Sequence, residues 1–147
     1  RNIKAINNYN GINCRLLRYG QILMNYAECL ANTGDLKGGV EVVDQVRARA
    51  NMPNLANSTN PEVAACVTSL DKFMAQLDLE TVKESCFEYE RFIDLRRFGL
   101  GTDAAYLEKV KARCQKYRDN YRPGREWMPI PRSEVDNNPN LTQNPGW

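Results

Sequence analysis

Histidine does not occur in this chain. That gap excludes Ser-His-Asp and Cys-His catalysis, imidazole acid–base chemistry and most transition-metal sites. An excess of charge of either sign is missing too: 20 Lys and Arg stand against 18 Asp and Glu, a formal net charge of +2. Nucleic acid and anionic membrane surfaces select for a basic excess or patch, so neither is an expected partner. The only locally basic stretch, Arg118, Arg122 and Arg125, is too short to argue otherwise. No apolar run approaches the ~20 residues needed to span a bilayer. The opening residues, RNIKAINNYNGIN, are polar and carry neither a leader nor an initiator Met, so the chain is expected to be a piece of something longer.

Cysteine is present but unpatterned. Cys14, Cys29, Cys66, Cys86 and Cys114 form no CxxC pair and match no zinc or disulfide spacing. Helical spacing puts Cys29, Cys86 and Cys114 on apolar faces, which predicts buried free thiols. A nucleophilic cysteine needs a base or an electropositive, accessible niche, and the lack of histidine removes the usual base.

What the chain does have is helical periodicity. Leu16, Tyr19, Leu23, Tyr26, Ala27 and Leu30 recur on one predicted face, and Asn32-Thr33-Gly34 ends the run. Asp35 is placed to cap a second helix whose apolar positions are Leu36, Val40, Val43, Val46 and Ala50. Gly38 and Gly39 inside it each cost about 1 kcal/mol against Ala, and close approach of two backbones is the expected return. Residues 15–50 thus read as an antiparallel helical hairpin like a tetratricopeptide unit, which buries its faces only by stacking on other helices. Residues 51–68, with two prolines, read as loop. Ser69 is expected to cap a short helix through Gln76. A long central helix over 77–98 then carries Leu79, Val82, Cys86, Tyr89 and Ile93 on one face, and Phe87, Leu95 and Phe98 on the other. An amphipathic helix over 103–117 directs Leu107, Val110, Cys114 and Tyr117 inward. From 119 to 147 periodicity fades into an extended strap, with one helical turn at 133–136.

Among candidate chemical groups, Glu84, Glu88, Glu90 and Asp94 suggest the paired carboxylates of glycoside hydrolysis. Lys83, Arg91, Arg96 and Arg97 stand beside them and hold carboxylates ionised, whereas a general acid must be protonated. Structural ion pairing is the expectation. Tyr117, Tyr121, Trp127 and Trp147 are either anchors for the strap or stacking platforms for sugar rings, anchoring being the commoner use.

Three stretches resemble a known family. LLRYGQILMNYAECLANTGD followed by VEVVDQVRARANMP is similar to the RYAEILLMYAEAL…LNxVRxRAGMP segment of SusD/RagB proteins. ETVKESCFEYERFIDLRRFG resembles their ERxxELxFEGxRxxDLRRWG, agreeing at Glu80, Glu84, Phe87, Glu88, Arg91, Asp94, Leu95, Arg96, Arg97 and Gly99. WMPIPRSEVDNNPNLTQNPGW is similar to their ending, WPIPxSEIDxNPxLxQNPGY. Tyr89 stands where the family has Gly, Thr81 where it has Arg, and Gly20-Gln21 where it has Ala-Glu.

The resemblance implies a mostly α fold: tetratricopeptide-like hairpin, long central helix, irregular loops and an extended C-terminal strap. Residues 1–147 would be the C-terminal portion of a single SusD-like helical domain, with upstream repeats and the lipid anchor on a missing N-terminal part. It implies a non-catalytic lipoprotein on the outward face of the outer membrane of Bacteroidetes-type bacteria, without cofactor or metal. Such a protein captures glycans, or in some relatives peptides, for a SusC-like TonB-dependent transporter. Ligand-contact residues are not carried over, because much of the family's glycan site comes from loops elsewhere. The alternative is a tetratricopeptide-like scaffold that binds protein only.

Overall fold

A computed structural model of the chain describes residues 16–86, 88 and 90–147. The polar opening residues, Cys14, and the helix faces assigned to Phe87 and Tyr89 lie outside the described residues. The chain divides into two compact units, Arg1–Cys86 and Phe87–Trp147. Among the described residues there are eight α-helices and no strand, so the class is mostly α with a tetratricopeptide-like hairpin.

In the first unit α1 (Tyr19–Asn32) and α2 (Leu36–Arg49) form the expected hairpin. Gly34 makes the turn at φ +99°, a left-handed conformation that a side chain resists. The Asp35 N–H donates back to the Leu30 carbonyl at 2.9 Å. The Asp35 carboxylate then accepts from the Gly38 N–H at 2.8 Å, capping α2. A Cβ on Gly39 would lie 2.9 Å from the Ala27 carbonyl oxygen and 3.3 Å from the Phe73 ring, so this glycine does permit close approach. Asn51, at φ +55°, closes α2 in the left-handed region that Asn tolerates.

The segment read as loop contains α3 (Pro61–Ala64) between two single 3-10 turns, Leu55–Asn57 and Ala65–Thr68. The Leu55 N–H donates to the Asp44 carboxylate at 2.7 Å, which seats the fully buried Leu55 side chain under α2. Ser69 caps α4 (Leu70–Glu84), whose Phe73 and Leu77 complete a core with Met24, Ala27, Val43 and Cys66.

Two expectations for this unit are corrected. Of the expected inward face Leu23, Ala27 and Leu30 do pack on the core, but Tyr19 and Tyr26, with Leu16 ahead of the helix, are exposed, and Met24 and Ala31 are buried instead. The helix is apolar on two sides, and the one that carries Met24, Ala27 and Ala31 packs into the core. Second, the helix expected over 77–98 is two: α4 starts earlier and stops at Glu84, and α5 covers Glu90–Arg97. Ser85 ends α4 with φ −104° and ψ 22°. Its hydroxyl and its N–H both donate to the Thr81 carbonyl, at 2.7 Å and 2.9 Å. Serine and cysteine at 85–86 are weak helix formers, and serine competes for backbone acceptors. With the phase changed, Leu79 and Ile93 are exposed, while Gln76, Glu80 and Thr81 are buried.

In the second unit α5 ends at Gly99, at φ +123°. Asp103 caps α6 (Ala104–Arg113) by accepting from the Ala105 N–H at 2.8 Å. The helix expected to reach 117 breaks at Cys114, whose φ of −140° and ψ of 103° are extended, and α7 (Gln115–Asn120) follows. Leu100, Tyr106 and Val110 are buried here, with Leu95, Phe98, Leu107 and Tyr117 packed around them. The helical turn expected at 133–136 is α8 (Arg132–Asn137), entered from Pro131 without a side-chain cap.

The strap is held by directed bonds. The Gln143 amide accepts from the Ile130 N–H and donates to the Ile130 carbonyl, both at 2.8 Å, as a neighbouring strand's backbone would. Asn144 donates to the Met128 carbonyl at 2.7 Å, and the Trp147 indole N–H to the Trp127 carbonyl at 2.8 Å. Two Pro-Gly pairs lie back to back: a Cβ on Gly124 would be 2.5 Å from the Pro145 carbonyl, and one on Gly146 2.7 Å from the Pro123 oxygen.

Candidate functional site

Two of the candidate carboxylates, Glu84 and Asp94, are engaged by cations. Arg18 donates to one oxygen of Glu84 at 2.9 Å and Arg49 to the other at 2.6 Å. With both oxygens occupied, Glu84 is not free to hand a proton to a glycosidic oxygen. Asp94 pairs with Arg97 at 3.3 Å, the expected i,i+3 contact. Glu90 is buried in the second unit. The densest cluster centres on Glu80, absent from the candidate carboxylates above although it belongs to the quoted motif. One of its oxygens receives Arg47 at 2.6 Å, Gln76 at 2.6 Å and Lys83 at 3.1 Å. Arg47 also donates to the Pro53 carbonyl at 2.7 Å and is only 4 % exposed. The paired arginines of VRARA and the paired glutamates of ETVKE therefore join α2 to α4.

Next to this ion pairing lies a cavity of about 510 Å³, lined by Arg18, Tyr19, Gly20, Gln45, Arg49 and Glu84 among others. A Cβ on Gly20 would collide with the Glu84 carboxylate, so the departure from the family's Ala lets Glu84 lie against the α1 backbone. Beside it, the Gln21 side-chain oxygen is buried with no hydrogen-bond partner among the described residues. Both guanidinium groups at this cavity, Arg18 and Arg49, are paired with Glu84.

The second unit holds a cavity of about 470 Å³ between α7 and the segment after it. Tyr117 and Tyr121 line it, with ring centroids 5.9 Å apart and planes tilted by 50°. Lys116, Arg122 and Arg125 line it as well, and no Asp or Glu does. The Tyr121 hydroxyl donates to Glu126, which pushes the phenol up to about 12, burial and the same carboxylate's charge adding to it. Burial, followed by the Glu126 charge, raises Tyr117. Burial alone would raise Glu126. The Tyr121 hydroxyl, two backbone N–H groups and Lys111 outweigh it and hold the carboxyl below its ordinary value. Lys111 is 4.2 Å from the Tyr121 ring centre and pairs with Glu108 at 2.8 Å.

The tryptophans act as anchors. Arg96 lies 4.2 Å over Trp127, and Arg125 lies 4.5 Å over Trp147 while donating to the Gly146 carbonyl. Each such stack contributes about 0.5–1 kcal/mol at an exposed site.

The cysteine expectation is half corrected. Cys29, Cys66, Cys86 and Cys114 are free thiols, yet only Cys66 is buried. Cys29 sits on the outward side of α1, while Cys86 and Cys114 fall where helices end and the chain leaves the packed face. Burial, with Asp44 and Glu80 adding, raises the Cys66 thiol and makes it unreactive.

Comparison with curated proteins and with solved structures gives no match. The sequence model of the SusD family matches residues 2–147, essentially the whole chain. The motifs that signal it have visible work in the structure, joining α2 to α4 and fastening the strap, and the chain belongs to the SusD family.

Proposed function

We propose that the chain is the C-terminal portion of a non-catalytic glycan-capturing lipoprotein that serves a SusC-like TonB-dependent transporter at the outer cell surface. SusD family members are in general nutrient-binding lipoproteins of the outer membrane, and generally not enzymes. The match over residues 2–147 is the observation that carries the reading. The arginine-occupied Glu84 agrees with it, since a carboxylate committed to ion pairs is poorly suited to hydrolysis. Both units are taken as parts of one SusD-like helical domain.

The test is retention of the full protein on immobilised polysaccharides, with purification of its membrane partners after mild detergent extraction. Binding to at least one glycan and a co-purifying TonB-dependent transporter are expected. No retention on any polysaccharide and no transporter would overturn the proposal. One observation favours a protein-binding scaffold instead: Tyr19, Ile22 and Tyr26 form an exposed apolar stripe along α1. A protein partner that binds through this stripe, in the absence of any glycan affinity, would establish that alternative.

A further inference from the structure

The cavity of the second unit has a chemistry that general nutrient capture does not specify. Two phenol rings and three cationic side chains share a concave wall of about 470 Å³, within the size range of small-ligand pockets. The cations differ in what they are committed to. Arg125 is engaged with Gly146 and Trp147. Lys116 and Arg122 make no ion pair among the described residues. Of the acids nearby, Asp119 pairs with Arg118 and Glu108 with Lys111, while Glu126 keeps its charge, accepts from the Tyr121 hydroxyl and does not line the cavity. Like charges lining one recess repel one another, and an anion relieves that repulsion.

We propose that this cavity is a subsite for an acidic saccharide, a pyranose ring bearing a carboxylate. The electron-rich face of a phenol attracts the partly positive C–H face of a sugar. Arg122 offers the forked pair of N–H donors that matches a carboxylate, and Lys116 adds a point charge. A neutral sugar would use the rings but leave both cations without a counter-charge. The inference rests on the glycan-capture reading and narrows it to one substrate class.

The experiment uses the full protein and three probes in calorimetry: a short oligogalacturonate, its methyl ester, and an oligoglutamate of equal charge. The oligogalacturonate should bind at least tenfold more tightly than either of the others, and its affinity should fall as salt is raised. The double variant Lys116→Gln with Arg122→Gln should lose at least tenfold for the acid and little for the ester. Arg118→Gln, outside the cavity, should change neither. Tyr117→Ala should weaken binding where Tyr117→Phe, which keeps the ring, does not. Cys114 lines the cavity and is exposed, so bound oligogalacturonate should slow its alkylation while exposed Cys29 in the first unit reacts as before. Equal affinity for acid and ester, equal affinity for oligoglutamate, or unprotected Cys114 would overturn the inference. A protein that binds neutral glycans alone defeats this inference and leaves glycan capture standing, whereas one that binds no glycan defeats both.

Discussion

The two units of this chain are stabilised by different means. Among the described residues the first has eleven buried apolar residues in one cluster and the second has three, so the burial described there is much the smaller. What the second unit has instead is aim: an amide pairing with a backbone, two glycine turns in contact, an indole N–H on a carbonyl, and guanidinium groups over rings. A burial-dominated unit tolerates changes in geometry but not in volume. A unit held by directed bonds tolerates changes in volume but not in geometry, because hydrogen bonds weaken steeply with angle and an orphaned buried group is costly.

That contrast can be broken at its strongest point first. Phe73→Ala empties the centre of the first core and should cost about 3–5 kcal/mol, read from the urea midpoint of helical circular dichroism. A loss below about 1 kcal/mol would mean that this core is not what holds the unit. Glu80→Ala should cost about 3 kcal/mol by leaving Arg47 buried without its counter-charge. Joint replacement, Arg47→Met with Glu80→Leu, should recover most of that loss in the same denaturation series, since the pair costs desolvation as well.

In the second unit Gly124→Ala should cost about 1–3 kcal/mol, combining a left-handed φ of +87° with a collision against Pro145. Both tryptophans lie in this unit, so their fluorescence reports the change directly. Acid should then act on the same region. Glu126 is held below its ordinary pKa when folded, so its stabilisation is complete above the ordinary carboxylate value and is lost as pH falls through the folded one. Glu126→Gln should remove that acid-dependent change in Trp127 emission. The smallest effect belongs to Gln143→Ala, at about 1 kcal/mol, seen as faster hydrogen exchange at the Ile130 N–H. A larger loss from Gln143→Ala than from Phe73→Ala would invert the comparison.

The same division governs how much could be read from the residues alone. The hairpin and its turn were legible, because Asn32-Thr33-Gly34-Asp35 sets both boundaries through local chemistry. The inward face of α1 was not, since two apolar sides compete and the choice depends on what α2 and α4 pack against it. The break after Glu84 was hidden behind a plausible helical phase, although Ser85 and the weak formers beside it were the available signal. Cys86 was misplaced for the same reason, Cys114 by the break between α6 and α7, and Cys29 by the choice of face on α1. The tail was recognisable only as a motif: nothing periodic ties Gln143 to Ile130, thirteen residues away in the chain. The second cavity was half visible, its tyrosines and arginines having been noted but not placed together, because α7 and the segment after it form no regular pattern.

Glu80 and Glu84 stand one helical turn apart on α4, facing Arg47 on one side and Arg18 with Arg49 on the other. This arrangement works as a vernier. Sliding α4 by one turn, about 5.4 Å, would bring Glu84 to Arg47 and leave Arg18 and Arg49 with no carboxylate. Sliding it the other way would set the neutral Gln76 against a buried guanidinium. Only one register satisfies both marks, and apolar packing alone, with interchangeable leucines and valines, would not distinguish it so sharply. It follows that single changes at either mark should be poorly tolerated, and that drift in this helix pair must proceed by compensated exchanges of acid and base.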